Sequence, residues 1–117
     1  MEDLSAVLSK YPFVVSYHLL KFERTQSTRR LKIAVDIADG SRLIISDATT
    51  PRGFRYAYHW QDANGQLLAR WDNAPHHRHL PTFPDHFHND QRIEPSVQPT
   101  IHDVLKYIAE QLSSKQS

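Results

Sequence analysis

The sequence predicts an α+β fold: an antiparallel meander sheet of about five strands, a short helix before it and a longer helix after it packed on one face. Three observations carry that expectation. Two hairpin signals, Asp39-Gly40 and Asn64-Gly65, each separate runs of alternating apolar and polar residues. Ile101, Val104, Leu105, Ile108 and Leu112 recur at helical spacing after Thr100. No internal repeat or low-complexity segment interrupts the chain, and 117 residues fit one domain over 1–117, with 113–117 a frayed tail.

Each element has its own reason. Leu4, Val7 and Leu8 share a helical face, and Pro12 ends that short helix. Phe13 to Arg24 is rich in β-branched and aromatic residues and reads as a strand. Leu31, Ile33, Val35 and Ile37 alternate with Lys32, Ala34, Asp36 and Ala38, the pattern of a half-buried strand. Asp39-Gly40 turns the chain into a return strand from Arg42 to Ser46, and Pro51-Arg52-Gly53 breaks it again. Phe54 to Trp60 alternates aromatic residues with Arg55, Ala57 and His59; Asn64-Gly65 leads back through Leu67 to Asp72. Pro75, Pro81 and Pro84 then argue for an irregular loop, with a short extended piece from Ile93. Thr100 caps the last helix, with Asp103 three residues on as its capping-box partner.

Composition narrows the function. Without cysteine, disulfides and zinc–thiolate sites are excluded. No run of about 18 apolar residues and no basic-plus-apolar leader occurs, so a soluble cytoplasmic protein with no membrane role is expected. A net charge of +1 gives no bulk signal for nucleic acid, although Arg24, Arg29, Arg30, Lys32 and Arg42 cluster in the first half. Neither GxSxG, a P-loop nor GxGxxG is present.

The informative region is RWDNAPHHRHLPTFPDHFHND, residues 70–90, which holds five of the eight histidines. A two-residue turn at Asn64-Gly65 pairs His59 with Arg70, Ala57 with Asp72, Tyr58 with Trp71 and Trp60 with Ala69. Tyr56, Tyr58, Trp60 and Trp71 then fill the core face, while Arg55, His59, Arg70 and Asp72 line the other and adjoin the loop. A three-residue turn would flip one strand. Metal ligation by His76, His77, His79, His86 and His88 has no HExxH-like frame, and a proline-rich loop is a poor scaffold for it; no metal and no cofactor are expected. RNA cleavage without a metal needs a base, an acid and cations for the phosphorane, and histidine and arginine supply all three. The competing reading is a wet sheet face and a loop whose imidazoles bond carbonyls, with Asp72-Asn73 forming an Asx turn.

YAYHW (56–60), NG (64–65), RWDNAPHH (70–77) and FPDHFH (83–88) resemble the TumE family of toxins over roughly residues 13–112. Asp85 departs from the family pattern, which often doubles the histidine after Phe-Pro. The resemblance implies a small prokaryotic toxin paired with a helix-turn-helix antitoxin in a type II module, and, since most such toxins are ribonucleases, an endoribonuclease. On that reading His59, Arg70, Asp72, His76 and His77 carry the catalysis, and Arg55, Tyr58, Arg78, His86 and His88 bind substrate RNA. A homo-oligomer stays open, as do a non-enzymatic binding module for protein or nucleic acid and a histidine-loop metal protein. Trp60 and Trp71 read as core, His18 and His102 as structural or surface residues.

Overall fold

The computed structural model describes residues 3–75, 77–89 and 91–115. Its elements run α1 (Leu4–Ser9), β1 (Val14–Arg24), β2 (Arg29–Ile37), β3 (Arg42–Thr50), β4 (Gly53–Gln61), β5 (Leu67–Asp72), β6 (His86–Asn89), β7 (Ile93–Pro95) and α2 (Ile101–Lys115). All seven strands form one antiparallel sheet in sequence order. The meander is as expected, but seven strands replace about five. Of the two extra strands, β7 is the short extended piece expected from Ile93, and β6 comes from sequence read as irregular: it starts two residues after Pro84 and pairs β5 through Arg70–His88 and Asp72–His86. β3 also extends past Ser46 to Thr50, and α2 past Leu112.

Both glycine turns differ from the expected two-residue type. A type I′ turn needs positive φ at both central residues. Among the described residues no non-glycine has positive φ, whereas Gly40 and Gly65 sit at 89° and 84°. In the first hairpin Ile37 N–H bonds Ser41 O at 3.0 Å, which leaves a three-residue loop. In the second, Asp62 N–H bonds Gln66 O at 2.9 Å, again closing three residues. That loop alone would turn β5 over. A bulge between Trp60 and Gln61 restores the register, so Ala57–Asp72, Tyr58–Trp71, His59–Arg70 and Trp60–Ala69 pair as expected.

One sheet face carries the core. Trp60, Trp71 and Phe87 are buried there with Val35, Leu43, Val104, Leu105 and Ile108. Tyr107 of α2 meets Trp60, Trp71 and Phe87 at ring-centroid distances of 6.3, 5.1 and 5.6 Å. Buried Trp60 Nε1–H donates to Ser41 Oγ at 2.9 Å, so neither polar atom is stranded. The Thr100–Asp103 capping box forms in both directions: Thr100 N–H to Asp103 Oδ2 at 2.9 Å and Asp103 N–H to Thr100 Oγ1 at 3.1 Å. His102 bonds Tyr11 Oη through Nδ1 at 2.7 Å, and His18 meets Asp36 at 2.8 Å; both are structural or surface residues, as the sequence suggested.

Asn73 extends the β4–β5 pairing past the end of β5. Its Oδ1 accepts Tyr56 N–H at 3.0 Å and its Nδ2 donates to Phe54 O at 2.9 Å. The side-chain amide thus stands in for a backbone unit that the Asx turn at Asp72 has diverted. Asn73→Ala leaves both backbone groups without that partner and should cost about 1–3 kcal/mol. Asn73→Asp keeps only the acceptor and should lose an intermediate amount. Urea unfolding reads both, and an Asn73→Ala midpoint equal to wild type would refute this bracing role.

Candidate functional site

The site lies on the sheet face opposite α2. β4 contributes His59 and Arg55, β5 contributes Arg70 and Asp72, and β6 contributes His86 and His88. Strand alternation puts all six on one side, because each set is spaced by two or four residues. His59, Arg70 and His88 occupy one cross-strand row. Ala57, Asp72 and His86 occupy the next.

Asp72 is the hub. It is 4% exposed. Oδ1 accepts Ala74 N–H at 2.9 Å, the Asx turn that the sequence raised, and lies 3.0 Å from His86 Nε2. Oδ2 accepts Arg70 Nε–H at 2.8 Å and lies 3.6 Å from His88 Nε2. Burial alone would raise the carboxyl pKa, but the Ala74 amide, Arg70 and His86 outweigh it and hold it below the usual range.

Arg70 spans two partners, since its second nitrogen donates to His59 Nδ1 at 3.0 Å. Guanidinium can only donate, so His59 Nδ1 is the acceptor. Burial and the Arg70 charge push the His59 pKa down, partly offset by a hydrogen bond that the ring donates to Gln61. His88 is also pushed down, first by burial and then by His86, His77 and Arg70, against the opposing pull of Asp72.

A folded-state histidine pKa below the unfolded value of about 6.5 means the unfolded chain binds more protons in the interval between the two. Acidification from neutral pH through that interval therefore destabilises the fold. The His59 ring should titrate by NMR with a midpoint below about 6.5. A midpoint at or above that value would refute the desolvated, arginine-capped environment.

The expected site residues divide. His59, Arg70 and Asp72 converge, joined by His86 and His88, which sit on a strand and not in a loose loop. His77 packs against both, with ring centroids 4.8 Å from His86 and 5.7 Å from His88. His76 lies outside the described residues. Tyr58 does not join the site: it pairs with Trp71 on the core face, so the strand pleat points it away from His59. Arg78 instead stacks over Phe83, 6.0 Å from the ring centroid. Asp85 accepts Tyr56 Oη–H at 2.8 Å, a bracing role outside the cluster.

Beside the cluster runs a groove of about 350 Å³. Lys21, Arg30, Lys32, Arg55 and Arg70 line it, over a floor that includes Ser46, Ala48 and Ala57. Small residues in the middle strands create the hollow, and long cations on the flanking positions rim it. Lys21 was not singled out in the sequence; its place follows from a bulge between Leu19 and Lys21 that resets which β1 residues face outward. Asp47 and Asp72 also line it, and Arg30 lies 3.8 Å from Glu23; Arg29 and Arg42 are not among the lining residues and pair with Asp47 at 3.1 Å and Asp36 at 2.8 Å.

The structure thus defines a small α+β protein with a seven-stranded meander that carries a cation-rimmed groove and a histidine–arginine–aspartate cluster on one face and packs its own α2 on the other. The family model described as Toxin TumE matches residues 4–112, nearly the whole chain. The protein belongs to the TumE toxin family. No curated protein and no solved structure matches it. Membership makes it a toxin and implies an antitoxin partner. Among the described residues no helix is long and apolar enough to cross a membrane.

Proposed function

We propose that this toxin cleaves RNA by internal transesterification, with the scissile phosphate seated on Arg70. The row His59–Arg70–His88 carries the reading: one guanidinium flanked by an imidazole on each side. One imidazole takes the proton of the 2′-hydroxyl as its oxygen attacks the adjacent phosphorus. The other protonates the departing 5′-oxygen, and Arg70 neutralises the phosphorane between them. The direction of the bound strand sets which histidine does which. In the free protein Arg70 caps His59 Nδ1; a phosphate drawing the guanidinium away would free that lone pair. The base has to enter neutral, a form that burial and the neighbouring charges favour at both rings; the acid has to enter as imidazolium, a form that Asp72 beside His88 and a bound phosphate favour.

Asp72 orients the row through Arg70, and Arg55 with the groove lysines would hold flanking phosphates. The test is incubation of the purified toxin with single-stranded RNA oligonucleotides. Products should carry 2′,3′-cyclic phosphate and 5′-hydroxyl ends, and a 2′-deoxy substitution at the scissile nucleotide should block cleavage there. Equal cleavage of the deoxy substrate would overturn this chemistry. Salt-sensitive RNA binding with no cleavage at any toxin concentration would make the groove a binding surface only.

A further inference from the structure

We propose that His77, His86 and His88 form a binding site for a divalent transition metal ion of the zinc type. One ring nitrogen from each lies within 4.8 Å of the others. Zinc–imidazole bonds of about 2.0–2.1 Å in tetrahedral geometry need nitrogens about 3.3 Å apart, so the trio must close modestly around the ion. The frame favours that. His86 and His88 are two residues apart on β6, so the pleat projects both to one side, and their ring centroids are 4.6 Å apart. His77 comes from the preceding loop and packs edge-on against both rings.

The surroundings of His86 are those of a metal-bound imidazole. Its side chain is 2% exposed. Nδ1 lies 2.9 Å from Pro84 O, a carbonyl that can only accept, so Nδ1 carries the hydrogen and Nε2 is directed inward. That Nε2 faces the Asp72 carboxylate at 3.0 Å, a contact that either an N–H or a cation between the two can bridge. Asp72 also lies 3.6 Å from His88 Nε2, so its negative charge stands beside two of the three donors. Three protein ligands leave a fourth position for water or an anion. An ion here ties the loop after β5 to β6. It also occupies the His88 imidazole, so metal binding and proton transfer by His88 are alternatives at one ring.

The site is tested by binding, independently of any activity. Tag-free full-length toxin is titrated with zinc chloride by calorimetry and with cobalt chloride by visible absorption. One ion per chain, the strong visible bands of tetrahedral cobalt and a raised melting temperature are expected. His77→Ala and His88→Ala, both at partly exposed positions, should each weaken zinc binding on the order of 100-fold; His79→Ala should leave it unchanged. The absence of stoichiometric zinc overturns the site. So does binding that survives His77→Ala and His88→Ala, or that falls as much with His79→Ala, because the ion is then held by other imidazoles. Circular dichroism of each variant separates lost ligation from lost folding. A variant that unfolds is replaced by the glutamine substitution at that position, which must still weaken zinc binding.

Discussion

Arg70→Ala is expected to abolish RNA cleavage and toxicity while leaving a folded protein. The side chain is 37% exposed, so its removal opens no cavity in the core. Asp72 keeps the Ala74 amide and the His86 contact, which limits the stability cost to about 1 kcal/mol. Cleavage should suffer far more, because among the described residues Arg70 is the cation placed between two imidazoles in a single row. Removing a group that neutralises transition-state charge typically costs about 100- to 1,000-fold in rate. Arg70→Lys should recover little. A lysine restores the charge, but its single ammonium cannot hold Asp72, His59 and a phosphate at once, as the planar fork can. His59→Ala and His88→Ala should each cause losses on the order of 100-fold. Undiminished cleavage by Arg70→Ala, with an unchanged pattern of cut sites, would place the reaction elsewhere.

Much of this was legible in the sequence, for identifiable reasons. Alternation has a period of two, so once His59 and Arg70 are on the outer face, Arg55 and Asp72 must be there too. The pairing itself was right through compensation: a three-residue loop closed by Gly65 shifts the register by one, and the bulge beside Trp60 shifts it back. Bulges leave no signature in single-strand periodicity, and the one near Leu20 likewise concealed that Lys21 faces the groove. It also keeps Leu19 and Phe22 on the helix-bearing side at the sheet edge, 63% and 55% exposed. Three prolines, Pro75, Pro81 and Pro84, mask β6 in the sequence. Yet Pro84 lies before the strand, and His86-Phe87-His88-Asn89 alternates as a strand should, with Phe87 on Trp71 at 4.9 Å and the histidines on the other face. By the same alternation His86 and His88 belong to a fixed frame and not to a loose loop. Tyr58 fails as a site residue by that argument too, since it cannot share a face with His59.

Asp72→Ala is expected to be the most damaging single change for the site as a whole. The carboxylate is buried and gathers the Ala74 amide, Arg70 Nε and His86 Nε2 within 3.0 Å. Truncating it strands the Ala74 amide and the Arg70 guanidinium at once and takes the partner away from His86 Nε2, on a ring almost fully enclosed. Losing one partner of a buried, charge-assisted cluster costs about 3–5 kcal/mol, a large part of the roughly 5–15 kcal/mol that holds a domain of this kind together. Asp72→Asn keeps the shape and one acceptor for Ala74 but turns an NH₂ toward Arg70, donor against donor. It should fall between wild type and Asp72→Ala in stability, yet lose nearly as much cleavage, because Arg70 is then no longer anchored beside His59. The same carboxylate predicts an acid limb. Its folded pKa is depressed, so the stability it provides is present above the unfolded value of about 3.9 and is lost as pH falls through the lower folded value. Urea midpoints measured from pH 6 downward should therefore drop more steeply for wild type than for Asp72→Asn. Parallel curves would mean that Asp72 is not charged in the native state, and the hydrogen-bond geometry around it would need another explanation.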